Sequence, residues 1–511
     1  MKDKKIDNIA IIILSIIIVT LTGIFIYINL IQYRAGLNAD IASEGVLARE
    51  IWVSKQWFPD DWYFSTEARL ISVPNIAAFF YGMTGSICTA MGLGCIVAGI
   101  FELFSLYYVG KAMEFTCVQK LILIGMVMLL PNNKNMVELM FIFADHYAFH
   151  TGVCFLTMGL YYKMIKHTKA GNVEKILIAI LHLILGIQGL RGIQMITGPL
   201  LAVEVLRCIY ILWKDKKWNA VDKKSLGFVL ILNVLEFIGS KLPLSVGLTL
   251  STNIRKGPQK LVEEVLPVFM DVFYWNKLTL VDKVVFASAL MMVVGLTINI
   301  LWRGVGKKGI KEEEWLFLTF PISIIMTMLI LAFTTSLVPS RYFLAIIFAI
   351  AVACAILWKK SRPTIKVLFL LSFLLVFNGN WDRLYYPTIT DKRFEDNVYV
   401  QIGDYLYEEG YKNAYASFEH ANTITVANDG KVQVSAVFSF ENMEVYRWLS
   451  SKRWYVPNVP KDSKTAYVVS KYKLEELEKF LNENKEAMEL KTQIGDFYIY
   501  GSEYNYTKLR D

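Results

Sequence analysis

Two carboxylates four residues apart, Asp40 and Glu44, follow the first long apolar stretch of the chain. In a helix this spacing places both side chains on one face. Carboxylates of this kind serve as proton acceptors or as ligands of a divalent metal, and ionisable groups held beside a membrane are functional candidates by default. The plainer alternative is that Asp40 caps the N-terminus of a helix, a position that aspartate favours.

Three cations, Arg341, Arg191 and Lys241, lie near the ends of apolar runs. A guanidinium group suits bidentate contact with a phosphate, although Arg and Lys at helix ends commonly extend only toward the membrane surface. Asp145, His146 and His150 share the predicted fourth membrane helix and could bind a divalent metal or orient an acceptor hydroxyl. The alternative for this group is a satisfied polar contact inside a bundle. Interhelical hydrogen bonds are the expected role of three further residues, His182, Glu204 and Glu236.

The composition indicates that these residues belong to a membrane protein, because the chain is too apolar for a soluble globular fold. The chain has 511 residues, of which 55% are hydrophobic and 14% aromatic, and a mean hydropathy of +0.41. An apolar run of roughly 20 residues spans a bilayer core about 30 Å thick. The first such run covers residues 9–31 and is interpreted as an uncleaved helix. We therefore predict a mainly α, polytopic bundle of about eleven transmembrane helices, the others centred near residues 97, 124, 152, 183, 203, 237, 291, 325, 349 and 371.

The net charge of +8 arises largely from short loops and does not indicate nucleic-acid binding. Alternate loops are basic, as cytoplasmic loops are under the positive-inside rule, although one outer loop, at 255–260, is also basic. The N-terminus is therefore predicted to be cytoplasmic. The basic loops are 163–169, 214–217, 303–308 and 359–362.

An odd number of helices places the C-terminal segment outside the cell. The predicted domains are a transmembrane domain over residues 1–380, with an outer loop at 32–76, and a small extracytoplasmic α/β domain over 381–511. In that domain, helices are predicted at 398–409 and 474–484, and strands at 423–426, 432–438, 466–469 and 497–500. The Asp429-Gly430 pair predicts a hairpin turn.

The outer loop has helical periodicity from Asp40 to Lys55, which predicts an amphipathic juxtamembrane helix. Its apolar positions, Ile41, Leu47, Ala48, Ile51 and Trp52, are available to lie on the bilayer surface. The aromatic residues Trp52, Trp57, Trp62 and Tyr63 are typical of a lipid–water interface.

The run Ala39-Asp40-Ile-Ala-Ser-Glu44-Gly-Val-Leu-Ala48-Arg49-Glu50, followed by Trp57-Phe-Pro-Asp-Asp-Trp62, resembles the first outer loop of GT-C glycosyltransferases. That superfamily includes protein O-mannosyltransferases and the lipid A aminoarabinose transferase. In it an Asp opens a juxtamembrane helix soon after the first span, and the sugar donors are polyprenyl-phosphate lipids. Many relatives carry a second acidic residue where this chain has Ile41. The segment Pro339-Ser-Arg341-Tyr342-Phe343 resembles a later motif of several members.

The resemblance implies a membrane glycosyltransferase that transfers a sugar from a polyprenyl-phosphate donor to a cell-surface glycan, lipid or protein. Asp40 would then be the base and Glu44 would assist it or bind a metal. Arg341, Arg191 and Lys241 would bind the donor phosphate. Because a phosphate leaves readily, this transfer needs no second carboxylate as a general acid, unlike glycoside hydrolysis. The alternatives are a lipid-linked glycan flippase or transporter, and a non-catalytic surface-glycan assembly protein.

Overall fold

The computed structural model describes the chain except residues 1, 66–69, 217–221, 243–251, 253–254, 307–308, 392–396, 412, 456–463, 485–487 and 508–511. Parts of two predicted basic loops, at 217 and 307–308, therefore lie outside the described residues, as does Glu67 of the outer loop. The chain divides into two compact units. The bundle unit comprises Met1–Phe25, Ala98–Phe141 and Asp145–Pro387, and the outer unit comprises Ile26–Val97, Ile142–Ala144 and Thr388–Asp511.

Seven helices in the described residues are long and apolar enough to cross a membrane. Four shorter helices lie at other predicted positions, so that each predicted centre falls inside a helix and the mainly helical membrane bundle is confirmed. The seven are Asp3–Leu30, Ile87–Ala112, Ile193–Asp215, Leu280–Val305, Glu312–Phe333, Ser340–Trp358 and Pro363–Ile389. The four are Cys117–Leu129, Ala148–Ile165, Asn172–Gln188 and Lys223–Gly239; the bundle unit also has short helices at Lys134–Glu138, Gly257–Lys260 and Leu266–Asp271.

Buried polar side chains join neighbouring helices of the bundle unit. His182 Nδ1 lies 2.5 Å from Glu236 Oε1, and its Nε2 lies 2.7 Å from Thr157 Oγ1. Thr197 Oγ1 donates to the other Glu236 oxygen at 2.7 Å. In a second group, Tyr161 donates to Glu204. These contacts confirm the predicted interhelical hydrogen bonds, because in the absence of water buried polar groups must find partners in the protein.

The outer unit contains a helix at Ala39–Ser54, here called the loop helix, close to the predicted span. It begins after Asn38, whose side-chain oxygen accepts a hydrogen bond from the Ile41 amide at 2.9 Å. Asn38 therefore supplies the N-cap, and Asp40 lies inside the first turn. The helix ends at Lys55, which has a left-handed backbone with φ of 59°. The helix Val73–Thr84 follows it.

The C-terminal part of the outer unit, here called the sheet domain (residues 397–507), is built on a six-stranded mixed sheet. Its first strand, Asn413–Ser417, pairs in parallel with two others, and the outer strands are antiparallel. The strands lie in the order Glu444–Val445, Gln433–Ser439, Asn413–Ser417, Thr465–Ser470, Phe497–Ser502 and Glu489–Ile494. The predicted helices are present at Val398–Glu408 and Leu474–Glu483.

One predicted strand of this domain is wrong. Residues 423–426 belong to a helix, Phe418–Ala427, here called the crossover helix, which connects two parallel strands. A parallel pair needs such a crossover, and the helix is buried from Ala421 to Ala427, so packing overrides the β propensity of the Thr-Ile-Thr-Val run. The predicted hairpin is also wrong: Asp429 and Gly430, with φ of 56° and 75°, turn the chain from this helix into the next strand.

Candidate active site

Asp40 and Glu44 have different surroundings on the loop helix. Asp40 is exposed in the first turn, whereas Glu44, one turn further along, is only 7% exposed. Across the described part of the chain, no hydrogen bond or ion pair engages the Asp40 carboxylate. Asp40 is therefore the solvent-accessible carboxylate of the pair.

Four of the five apolar residues predicted to lie on the bilayer surface are instead buried inside the protein. Ile41, Leu47, Ala48 and Ile51 are at most 6% exposed, because the helix Val73–Thr84 and the crossover helix both pack on the loop helix. Trp52 keeps 37% of its surface exposed. The loop helix is thus a buried element of the outer unit, and its position depends on protein contacts.

Trp62 also lies in the protein interior and not at an exposed interface. It is 4% exposed, and its ring meets that of Trp454 edge to face at 5.8 Å. Residues Trp62–Tyr63 form a short antiparallel pair with Ser450–Ser451 of the sheet domain. Of the aromatic residues predicted at a lipid interface, Trp57 is 57% exposed.

Arg191 lies in the bundle unit where one helix ends and another begins. Gly189, with φ of 142°, ends the helix Asn172–Gln188, and a side chain at Gly192 would collide with Glu236. The Arg191 guanidinium carbon is 4.3 Å from the Tyr147 ring centre and 5.5 Å from that of Tyr342. Both separations suit a cation–π contact, so the two rings hold the cation in place.

The other two predicted phosphate ligands differ in their relation to Arg191. Arg341 is exposed in the short helical turn Ser340–Phe343, directly before the Tyr342 that contacts Arg191. Lys241 is exposed just beyond the helix Lys223–Gly239, with its Nζ 5.4 Å from the Phe237 ring centre. No contact within the described residues joins Lys241 to Arg191. The structure therefore associates Arg191 with the segment that carries Arg341 and places Lys241 separately.

Asp145, His146 and His150 do not share one helix, as the sequence had suggested. The helix Ala148–Ile165 starts after Tyr147, so that only His150 is on it. Asp145 precedes it in a left-handed conformation, with φ of 44°, because the chain turns sharply into the helix there. His146 Nε2 is 3.9 Å from Glu138 Oε1, and the His150 ring centre is 6.0 Å from that of Tyr147.

Asp145 is a buried carboxylate without compensation. It is 2% exposed, and neither carboxylate oxygen has a hydrogen-bond partner among the described residues. Burying such a group is costly, so it is a candidate contact for a ligand that supplies a proton or a positive charge. In the same described residues, no group of three or more His, Cys, Asp or Glu side chains is arranged to hold a metal ion. Asp145 and its neighbours therefore do not form a complete metal centre.

Two residues of this region were not identified as site candidates from the sequence. Tyr147 and Tyr342 flank Arg191, but they come from segments far apart in the chain. The only sequence signal was the position of each tyrosine, one close after Asp145 and the other directly after Arg341. That signal gives no indication that both rings meet the same arginine.

No protein-family model matches the sequence, and neither does any curated protein. Solved structures do match the fold. The chain is similar to ArnT from Cupriavidus metallidurans bound to undecaprenyl phosphate, with a TM-score of 0.56, 11% identity, and coverage of 97% of this chain and 99% of that one. ArnT in the apo state gives a TM-score of 0.54 at 10% identity, covering 95% and 97% of the two chains.

A third match is the Archaeoglobus fulgidus oligosaccharyltransferase in complex with Zn and sulfate. Its TM-score is 0.51 at 11% identity, over 89% of this chain and 68% of that one. Identities this low establish the fold alone. The chain is a membrane protein with the GT-C glycosyltransferase fold, and the resemblance identified in the sequence is confirmed at that level.

Proposed function

We propose that this protein is a membrane glycosyltransferase that transfers a sugar from a polyprenyl-phosphate-linked donor to a cell-surface acceptor on the outer face of the membrane. The observation that carries the proposal is the exposed carboxylate of Asp40, at the start of a helix that follows the first membrane span. The similarity in fold to a protein whose structure contains undecaprenyl phosphate supports this class of donor.

In the proposed reaction Asp40 accepts the proton of an acceptor hydroxyl. The hydroxyl oxygen then attacks the anomeric carbon from the face opposite the phosphate, and a new glycosidic bond forms with inversion. The bond between the anomeric carbon and the phosphate oxygen breaks, and polyprenyl phosphate leaves with the bonding electrons. A base positioned in this way commonly contributes a rate factor of about 10² to 10⁴.

The leaving phosphate gains negative charge during this step and needs cations that are already in place. We assign this role to Arg191 and Arg341, with Lys241 as the third and least supported candidate. Arg191 is the best supported of the three because its guanidinium contacts the rings of both Tyr147 and Tyr342. An arginine oriented in advance loses less conformational freedom when it binds a phosphate.

The remaining candidates are assigned to assisting roles. Glu44, which is buried one helical turn from Asp40, would assist Asp40 in its role as the base. Asp145, together with His146 and His150, would contact the acceptor or a divalent cation. Because the described residues do not provide three metal ligands in one place, no step of the reaction is assigned to a metal.

The proposal includes an orientation in the membrane. The N-terminus would be cytoplasmic, and the segment 381–511 would lie outside the cell. The alternating basic loops support this arrangement. It would put Asp40 on the same side as a surface acceptor.

The proposal is tested by reconstituting the protein in liposomes with a panel of polyprenyl-phosphate sugars and candidate surface acceptors. Transfer from a lipid-linked donor, with none from the matching nucleotide sugar, is the expected result. If a fluorescent lipid-linked sugar crosses the bilayer and no transfer occurs, the protein is a flippase or transporter. Transfer from nucleotide sugars alone would contradict the proposed donor class.

A further inference from the structure

The loop helix is attached to the sheet domain at a point one turn from Asp40. Asn422 of the crossover helix donates a hydrogen bond from Nδ2 to Ser43 Oγ at 2.8 Å. Ser43 Oγ in turn donates to the Ala39 carbonyl at 2.6 Å. Both residues are 1% exposed. A buried hydrogen bond is directional, so this contact restricts rotation of the loop helix about its own axis.

A second attachment lies near the other end of the loop helix. Glu50, whose side chain is 4% exposed, forms an ion pair with Arg453 of the sheet domain. The neighbouring Arg49 donates a hydrogen bond to Gln433. At a rise of about 1.5 Å per residue, the contacts at Ser43 and Glu50 are separated by roughly 10 Å along the helix axis. Two contacts at this separation also restrict tilting.

A third attachment precedes the loop helix. Asp429, in the turn after the crossover helix, forms an ion pair with Arg34. Its Oδ1 also accepts hydrogen bonds from Ser86 Oγ at 3.0 Å and from the Ile87 amide at 3.1 Å. Asp429 thereby fixes the chain before the loop helix and the start of the helix Ile87–Ala112. The sheet domain therefore holds the segment that carries Asp40 from both sides.

We propose that the sheet domain is a positioning element for the base, with Asn422, Asp429 and Arg453 as its positioning residues. The inference rests on the proposed function, in which Asp40 acts as that base. A carboxylate about 6 Å from a helix axis moves roughly 2 Å when the helix rotates by about 20°. The oxygen of a base must stay within about 3 Å of the hydroxyl oxygen that it deprotonates, so rotation on this scale would slow the reaction.

The test compares Asn422→Ala, Ser43→Ala and the double variant with Thr425→Val as the matched control. Thr425 is a buried residue of the same crossover helix, but its Oγ1 accepts from the Val434 amide at 2.9 Å, inside the sheet domain. Thr425→Val therefore weakens the sheet domain without removing a contact to the loop helix. Amide hydrogen exchange over residues 39–54, kcat and the KM for the donor are measured for each full-length variant in liposomes.

We expect Asn422→Ala and Ser43→Ala each to lower kcat about tenfold or more, because small displacements of a catalytic group have effects of this size. The donor KM should change less than about twofold. The double variant should match Asn422→Ala, since Asn422→Ala alone already removes the bond to Ser43. Amide hydrogen exchange in residues 39–54 should be faster than in the wild type for Asn422→Ala, Ser43→Ala and the double variant, and unchanged for Thr425→Val.

Unchanged exchange and unchanged kcat in Asn422→Ala would overturn the inference. An equal loss of kcat in Thr425→Val would also overturn it, because general destabilisation would then explain the effect. If the wild-type protein transfers no sugar, the proposed function fails, and hydrogen exchange still decides whether the sheet domain fixes the loop helix.

Discussion

The guanidinium carbon of Arg191 lies 4.3 Å from the centre of the Tyr147 ring. This contact connects the break after the helix Asn172–Gln188 with the turn that also contains Asp145. Arg191 also contacts Tyr342, the residue after Arg341. Segments that are distant in sequence thus bring an oriented cation, a buried carboxylate and an exposed arginine into one region of the bundle unit.

Arg191→Ala should weaken the binding of undecaprenyl phosphate by about tenfold to hundredfold. A hydrogen bond to a charged group contributes about 1.5–3 kcal/mol, and 1.4 kcal/mol corresponds to a factor of ten. The measurement is the Kd for the radiolabelled lipid in detergent. Arg362→Ala is the control, since Arg362 is exposed and belongs to a loop that the sequence predicts to be cytoplasmic. Equal affinities for wild type and Arg191→Ala would remove Arg191 from the phosphate site.

Asp145→Asn should make the protein more stable and less active. The amide has nearly the same shape, does not carry a buried charge, and is tolerated at a φ of 44°. Removing an uncompensated buried carboxylate should therefore raise the free energy of unfolding by about 1 kcal/mol or more. Thermal unfolding in detergent measures the change in stability, and a sugar-transfer assay measures the change in activity. A marked loss of stability would show that the Asp145 carboxylate stabilises the fold.

Gly186→Ala should strongly destabilise the bundle. A Cβ atom at this position would overlap the backbone of Glu236, so the helices Asn172–Gln188 and Lys223–Gly239 would have to separate. The resulting overpacking costs about 1–3 kcal/mol or more. Gly227→Ala is the matched control, because nothing lies within 4 Å of a Cβ there, and Ala favours a helix by about 1 kcal/mol over Gly. Similar melting temperatures for the two variants would contradict the close packing of these helices.

Lowering the pH from about 7 to about 5 should weaken the sheet domain through His420. Burial lowers the pKa of His420, and Glu419 opposes that shift only in part. Its Nδ1 lies 3.0 Å from the Tyr399 hydroxyl, and its ring packs edge-on against Phe497. Because the folded state binds the proton less readily than the unfolded state, stability is complete above the unfolded pKa of about 6.5 and falls as the pH drops below it.

The measurement for His420 is the pH dependence of thermal unfolding, compared between wild type and His420→Gln. The variant should lose less stability than wild type between pH 7 and pH 5, because it has no group to protonate at this position. Parallel curves for the two proteins would show that His420 does not contribute to the acid sensitivity.

The helices of this protein could be predicted from apolar run length, because a membrane requires long apolar segments. The loop helix was also predicted within one residue at each end. Which side of it would be buried could not be predicted. Ile41, Leu47 and Ile51 were expected at the membrane surface. They are buried because the sheet domain, which is distant in sequence, packs on part of this helix.

Local propensity failed where tertiary contacts decide the structure. The run Thr423–Val426 has strong β propensity but forms a helix, and the strand Asn413–Ser417 was missed because it contains no Val, Ile or Thr. The contacts of Arg191 with Tyr147 and Tyr342 depend on helix packing, which a single sequence does not encode in any local pattern. The site residues could therefore be named in part, but their grouping could not be predicted.

Sugar transfer by Asp40→Asn, compared with Asp61→Asn, tests the central claim most directly. Asp61 is an exposed carboxylate of the same outer loop, and its backbone carbonyl, which the substitution leaves in place, accepts from the Lys452 amide. We predict that Asp40→Asn lowers kcat by about 10² or more, since an amide cannot accept the proton, while Asp61→Asn retains wild-type activity. Both variants should fold and melt as the wild type does. Wild-type activity in Asp40→Asn would contradict the account.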